Sequence, residues 1–538
     1  MSQGKASGLP RQPSPRAYCA AAFAVAMLGL LPRLFGKYYW GKYLWAEDGN
    51  IFLNQSQEMG LAAILHPYNG YLHFFPRVMA EAAQLFSLVY QPTVLLAGWL
   101  LAYLIMMHAL LSAALKARGS VLAVAVLLAL VSLQPNYGEV FFNITNSQWM
   151  IGAALFTYAL TDATGSSRQK KIKGALLVPL SLTGPFSIVL TPVLLLKLVL
   201  KKDWAAQKYT YASVFSGALV QGLVMSANKR TATGAMNTDV WTWISAFLKI
   251  ASFGASRSIT ILAAVLLWIL IAYLVATQLK GRRLSETISQ APFLLLAAAL
   301  LMIVAGLLSQ KHSPGDTAAL GGGNRYTWVP YVLILLSAFM LSATRKTLAS
   351  AMAILFAIIC AGHFHRVHSP DLQFEAFAHY AQMEPVYIPI HPLAEAYPGF
   401  YVEGKPKVAH TARGAVIAIE PQAFNAAGLT VSIADGELQM RSASQDPMLV
   451  ANRRLSCPQS AFAGLDVYLT RDKAGWMQLF WGENTNFSET ASLRRWYPAG
   501  KVRAQFAFPM PSGGAYLRYD PMETEGSATV EKVELRCL

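Results

Sequence analysis

Charge is what this chain has least of. Asp, Glu, Lys and Arg make up 13% of its 538 residues, against 54% hydrophobic residues, and so apolar a balance excludes a soluble multidomain protein. Acids are scarcer than bases, 28 against 44. The net charge of +16 would suit a nucleic-acid partner, but the Lys and Arg residues fall in small clusters between apolar runs. That pattern orients helices in a bilayer rather than tracking phosphates, so nucleic acid is excluded as a partner. No small-x-small cleavage site ends the apolar stretch 17–35, which runs on through Pro32-Arg33-Leu34-Phe35, so the start reads as an uncleaved first helix. Ionisable residues are rare within the apolar runs, His108 being an exception, which counts against an ion or proton pathway.

Long hydrophobic runs are plentiful. Apolar windows lie near 17–35, 93–115, 120–134, 148–162, 174–183, 185–200, 207–226, 258–278, 291–309, 326–343 and 347–362, which predicts a mainly α transmembrane bundle of about eleven spans. The windows 174–183 and 185–200 are short and bounded on both sides by bases, Arg168, Lys170, Lys171 and Lys173 before, Lys201, Lys202 and Lys208 after. Both ends are therefore expected in the cytoplasm, with a hairpin or re-entrant turn at Thr183-Gly184-Pro185. Lys116 with Arg118, Lys280 with Arg282 and Arg283, Arg345 with Lys346, and the basic N-terminal tail all fall on the same side. The C-terminus then lies outside, together with loops 36–92, 135–147, 227–257 and 310–325. Those loops carry most of the acids, including Glu47, Asp48, Glu58, Glu81, Glu139, Asp239 and Asp316.

Hydropathy falls from residue 363, and short alternating segments such as Leu465 to Leu469, Trp476 to Trp481, Val502 to Phe508, Ala515 to Tyr519 and Ala528 to Leu535 follow. The expected organisation is a membrane domain over 1–362, a connector over 363–408 and an exported all-β, jelly-roll-like sandwich over 409–538. Of four cysteines, Cys19 and Cys360 lie in apolar windows, whereas Cys457 and Cys537 lie in the sandwich. An oxidising compartment would let that second pair form a disulfide.

The candidate chemistry sits in the outer loops. In Trp45-Ala46-Glu47-Asp48-Gly49, Glu47 or Asp48 supplies a base at the membrane surface, of the kind that takes a proton from an attacking hydroxyl. The bland alternative has Asp48 capping a helix that starts at Gly49. His66 to Arg77 is polar and aromatic, with Tyr68, His73 and Arg77 as sugar or phosphate contacts; an interfacial aromatic belt would look similar. Asn136, Tyr137, Glu139, Asn143, Asn146, Gln148 and Trp149 crowd the second outer loop and suit hydroxyl groups. Gly321-Gly322-Gly323-Asn324-Arg325-Tyr326 precedes an apolar window, which puts Arg325 and Tyr326 at headgroup depth. Arg325 is the first candidate for a lipid phosphate, with Lys229, Arg230, Arg257 and Lys311 behind it. His363, His365 and His368 lack a matched carboxylate or cysteine set, and no metal site is assigned to them.

This arrangement resembles the GT-C membrane glycosyltransferases: many spans, an acidic pair in the first outer loop, and an exported C-terminal domain. Trp45 to Phe52, Pro67 to Arg77, Gly184-Pro185-Phe186-Ser187 and Asn324-Arg325-Tyr326 also look like a group of bacterial proteins of this type. The resemblance implies a multi-pass protein of the bacterial inner membrane with a cytoplasmic N-terminus and a periplasmic C-terminal domain. It implies inverting transfer of a sugar from a polyprenyl-phosphate donor to an envelope glycan or glycolipid. By position, Glu47 or Asp48 would be the base and Arg325 the phosphate contact. The chain departs from the best-known members in lacking a clear divalent-metal ligand set, so no cofactor is assigned and metal dependence stays open. The C-terminal segments Gln478 to Trp481, Phe487 to Glu489 and Leu517 to Pro521 look like carbohydrate-binding sandwiches, in which Trp476, Trp481, Trp496 and Tyr497 either stack on sugars or fill the core. The rival readings are a polysaccharide or lipid transporter and a non-catalytic glycan-binding scaffold.

Overall fold

The computed structural model describes residues 15–34, 42–117, 120–135, 139–162, 166–228, 235–317, 323–362, 370–395, 399–403, 415–442 and 446–538. Its helices are α1 (Pro15–Leu34), α2 (Asn54–Met59), α3 (Phe74–Ala83), α4 (Gln91–Lys116), α5 (Val121–Leu133), α6 (Ser147–Leu160), α7 (Ser167–Ser181), α8 (Phe186–Lys201), α9 (Trp204–Ala227), α10 (Val240–Ala251), α11 (Ser258–Leu279), α12 (Leu284–Ile288), α13 (Ala291–Ser309), α14 (Pro314–Thr317), α15 (Arg325–Ser342), α16 (Lys346–Gly362) and α17 (Phe374–Tyr380). The strands are β1 (Val386–Ile388), β2 (Phe400–Val402), β3 (Val416–Ala418), β4 (Phe424–Ala427), β5 (Leu429–Ala434), β6 (Glu437–Ser442), β7 (Met448–Ala451), β8 (Phe462–Arg471), β9 (Gly475–Gly482), β10 (Ser492–Tyr497), β11 (Gly500–Pro509), β12 (Tyr516–Asp520) and β13 (Gly526–Cys537).

Two units emerge, and they do not follow the expected boundaries. The first comprises Met1–Lys37, Ile64–Val78 and Ala97–Val367; the second comprises Tyr38–Ala63, Met79–Leu96 and His368–Leu538. Much of the first outer loop therefore belongs with the β-rich C-terminal half rather than with the helical bundle.

Each apolar window coincides, among the described residues, with a helix. Among the described residues, five segments are long and apolar enough to cross a membrane: Leu88–Lys116, Trp204–Ala227, Ser258–Leu279, Ala291–Ser309 and Arg325–Ser342. These five helices are consistent with a multi-pass membrane protein, but the count of eleven spans is not confirmed. Helices α5, α6, α7 and α8 have 13, 14, 15 and 16 residues, fewer than the roughly 20 that cross a bilayer unaided. The expected break at Thr183-Gly184-Pro185 is present, between α7 and α8. At the centre lie α6, all of whose residues are buried, and α15, of which 78% is buried along its apolar window.

The second unit contains two antiparallel sheets of order β10-β9-β12-β7-β4 and β11-β8-β13-β6-β5, with β3 added beside β13. Strand alternation sends one face of each sheet inward. Trp481 of β9 stacks on Phe508 of β11 at 5.5 Å, Tyr497 meets Phe506 at 6.2 Å, and Phe506 meets Tyr519 at 6.0 Å. These contacts join the sheets into a sandwich and place Trp481 and Tyr497 in its core. A disulfide links Cys457 to Cys537 with a Cα–Cα distance of 5.2 Å.

The described part of the expected connector is no spacer. Helix α17 covers the outward side of β8, where Asp466 is fully buried. That carboxylate accepts from the Tyr380 hydroxyl at 2.5 Å, Arg503 Nη2 at 2.8 Å and Arg536 Nε at 2.5 Å. Arg495 adds a second clip, donating to the Tyr387 and Gln505 carbonyls while its guanidinium lies 5.2 Å from the Phe377 ring. A helix pinned by a buried charge cluster and a cation–π contact packs as part of the sandwich.

Candidate functional site

In the second unit the acidic motif is locked onto the β1–β2 region. Trp45 forms a parallel bridge with His391, the Ala46 amide donates to the His391 carbonyl at 2.7 Å, and the His391 amide donates to Leu44 at 2.9 Å. The chain turns helical at Ala46, and Asp48–Leu53 is a π-helical turn. Such turns are rare and are frequently found at functional sites. The helix therefore starts before the expected Gly49 and holds Asp48 within it rather than as its cap; the Asp48 Oδ2 accepts from the Trp45 amide three residues back at 3.4 Å. Asp48 is 3% exposed. Burial and the Asp48 carboxylate together hold the Tyr43 phenol above its ordinary range. Gly49 is obligatory at its position, because a Cβ there would stand 2.8 Å from Phe400 Cβ. Glu47 is only partly buried, which leaves it the more accessible carboxylate of the pair.

In the first unit Asn69 and Gly70, both at positive φ, make a two-residue turn that pairs Tyr68 with Tyr71 in both directions, at 3.0 and 3.2 Å. That hairpin leads into His73, which bridges to Thr183 and stacks on Tyr71 at 4.5 Å. His73 and Arg77 are each 1% exposed. Burial first, then the Arg77 charge, hold the imidazole down at about 3. His73 is thus an enclosed ring, neutral near pH 7. Gln221, within the last two turns of apolar α9, accepts from the Leu72 amide and donates to the Leu72 and Gly184 carbonyls at 2.9, 3.1 and 3.0 Å. It ties the hairpin to the α7–α8 turn.

The α6 and α15 N-termini meet beside that turn. Trp149, in the first turn of α6, packs edge-on to Phe186 at 5.2 Å and to Tyr326 at 5.4 Å, and Tyr326 is the second residue of α15. Arg325 opens α15, pairs with Glu139, and lies 5.1 Å from the Tyr326 ring. Its side chain keeps 33% of its exposure, against 8% for Glu139. The Glu139 carbonyl accepts from Asn143 and Asn146 at 2.7 and 2.8 Å, and Asn146 Oδ1 accepts from the Trp149 indole at 3.2 Å. Gln310 donates to the Tyr326 hydroxyl at 2.7 Å. Two buried helices starting side by side present their positive ends and an arginine to one region, the arrangement that receives anions.

The structure thus gathers Arg325, Tyr326, Asn143 and Asn146 into one cluster, with Tyr68, His73 and Arg77 reached through the α7–α8 turn. Asn143 and Asn146 are 2% exposed and spend their amides on the loop, so they shape it more than they line it. Arg257 is exposed at the start of α11 and shares none of these described contacts. Glu47 and Asp48 belong to the second unit. Asn136, Tyr137, Lys229, Arg230, Gly321, Gly322, His363, His365 and His368 lie outside the described residues. Among the described residues no three His, Cys, Asp or Glu converge as metal ligands. Sequence reasoning missed Gln221 and Gln310; the signal was available for Gln221, a costly amide inside an apolar run.

Of the aromatic residues expected to meet sugars, Trp476 and Trp496 face each other across the β9–β10 pair and are half-buried. A cavity of about 310 Å³ beside them is also lined by Arg471, Asp472, Lys473 and Glu523. Arg494 stands 4.8 Å over the Trp476 ring and pairs with Glu523.

No family model and no curated protein matches this chain. It is similar to solved structures titled "BiXyn10A CBM1 APO" (12% identity, TM-score 0.20, covering 23% of this chain and 99% of that one) and "CBM4 structure and function" (10%, 0.18, 23% and 86%). A third is titled "CBM29_1, A Family 29 Carbohydrate Binding Module from Piromyces equi" (7%, 0.17, 23% and 89%). At these TM-scores the likeness carries no functional weight.

Proposed function

We propose that the chain is a membrane glycosyltransferase of the GT-C kind, moving a sugar from a polyprenyl-phosphate donor to an envelope glycan or glycolipid on the outer face of a bacterial inner membrane. The observation that carries this reading is the pairing of the α6 and α15 N-termini around Arg325, with Trp149 and Tyr326 between them. Helix dipoles and a guanidinium stabilise the negative charge that develops on a departing lipid phosphate. The aromatic rings offer faces to a sugar. Glu139 holds Arg325 in place and shares it with the incoming phosphate.

The reaction is a single displacement. The acceptor oxygen bonds to C1 as the C1–O bond to the phosphate breaks, with inversion; the electron pair leaves on the phosphate. The acceptor proton passes to a general base, for which the acidic pair Glu47 and Asp48 of the second unit is the candidate that the sequence offers. The test is incubation of the purified full-length protein with radiolabelled polyprenyl-phosphate sugars and envelope acceptors. A new glycosidic bond supports the reading; binding or movement of the donor without bond formation overturns it in favour of transport.

A second reading is favoured by one observation, the Trp476 and Trp496 pair beside its polar cavity. Aromatic faces next to convergent acids and bases are what saccharides require. In this reading the second unit holds glycan, whether as the acceptor of the reaction or as the cargo of a scaffold. Trp476→Ala with Trp496→Ala should abolish retention on immobilised polysaccharide, and unchanged retention would remove it.

A further inference from the structure

Four lysines from three helices converge on the C-terminal end of α6. Lys116, ending α4, donates to the Asp162 carbonyl at 2.5 Å, and Lys173 of α7 donates to the Thr161 carbonyl at 3.0 Å. Lys197 of α8 donates to the Ala159 carbonyl at 3.3 Å and pairs with Asp162 Oδ1 at 3.0 Å; Lys201, one turn on, pairs with Oδ2 at 2.8 Å. Lys197 is 1% exposed along its side chain, Lys201 25% and Asp162 47%.

Capping explains part of this. The last carbonyls of a helix carry roughly half a negative charge and welcome one cation. One carboxylate and one helix end leave an excess of about two positive charges on the four amines near pH 7, where Lys173 is about half protonated. Burial first, and then repulsion from Lys116 and Lys197, holds the Lys173 amine down at about 7, against the pull of Asp162. An anion with several oxygens, placed on the open side of Asp162, relieves the excess. The same two helices expose apolar side chains next to these lysines: Ile172 and Leu176 on α7, and Leu195, Leu196 and Val199 on α8, from 37% to 68% exposed. A cationic nest flanked by uncovered hydrocarbon fits a molecule with a phosphate head and acyl tails.

We propose that the lysine nest at the end of α6 is a binding site for the phosphate of an anionic phospholipid. It stands apart from the transferase reading and holds whether or not the chain moves sugar. The test uses the full-length protein in zwitterionic micelles, titrated with short-chain phosphatidylglycerol, short-chain phosphatidylcholine or glycerol phosphate, with bound molecules counted by native mass spectrometry. Phosphatidylglycerol should bind selectively. Lys201→Gln and Lys173→Gln, which leave buried Lys197 intact, should each weaken it about fivefold, whereas Lys202→Gln or Lys208→Gln, each the same change of charge on nearby surface, should not. Equal binding of the two lipids, equal binding of glycerol phosphate without tails, or equal losses in the control variant would each overturn the proposal.

Discussion

Opening the Cys457–Cys537 disulfide should cost the sandwich about a third of the stability range of an ordinary domain or more. The bond closes a loop of 80 residues, which takes in β8 through β13, both central strands of the six-stranded sheet among them. Loop-closure entropy for that length is about 15 cal/mol/K, or about 4.5 kcal/mol at 25 °C. Spread over a unit of this size, each kcal/mol is worth roughly 2–4 °C in melting temperature. The double variant Cys457→Ser with Cys537→Ser should therefore melt about 10–15 °C lower. The assay is limited proteolysis of the full-length protein along a temperature ramp, with fragments from the β-strands counted by mass spectrometry. Reductant should reproduce the shift in the wild type and do nothing to the variant. A midpoint that moves by less than roughly 2 °C, the equivalent of about 1 kcal/mol, would refute the reasoning, because it would mean that the strands are held without the covalent link.

Three further outcomes are expected. Asp466→Asn leaves Arg503, Arg536 and Tyr380 around a neutral amide; it should destabilise the unit by about 3 kcal/mol or more and open the segment near α17 to protease before the sandwich itself, and simultaneous cutting would contradict the pinning role. The His73 ring, at about 3 when folded and near 6.5 when unfolded, binds a proton only in the unfolded chain between those values, so its stability contribution is full above 6.5 and lost as pH falls. By pH 5 the loss is about 2 kcal/mol, and His73→Gln should flatten that limb of the unfolding curve; an unchanged limb would exclude the linkage. Arg325→Ala should slow sugar transfer about a hundredfold or more while Arg325→Lys keeps part of it, whereas equal turnover in all three proteins would remove Arg325 from the phosphate.

The helical half was legible because continuous hydrophobicity is a strong signal: the window 291–309 is α13, and 258–278 is α11 to within a residue. Helix α10 was missed, since its exposed Val240, Ile244, Phe247 and Leu248 recur on one face instead of forming a run. The disulfide partners were readable from compartment and count. The docking of Trp45 to His391 was not, because a bridge between residues so distant in sequence leaves no periodic trace, and the loop bearing Glu47 and Asp48 therefore looked like an appendage of the membrane domain. The burial of His73 and Arg77 was not legible either, because polarity in a sequence says nothing of the packing around it.

The most direct measurement is turnover of a labelled polyprenyl-phosphate sugar by Glu47→Gln, Asp48→Asn and the double variant, each confirmed folded by its protease pattern. At least one single variant and the double variant are expected to lose transfer with donor binding retained. Wild-type turnover in the double variant would contradict a catalytic role for the acidic pair.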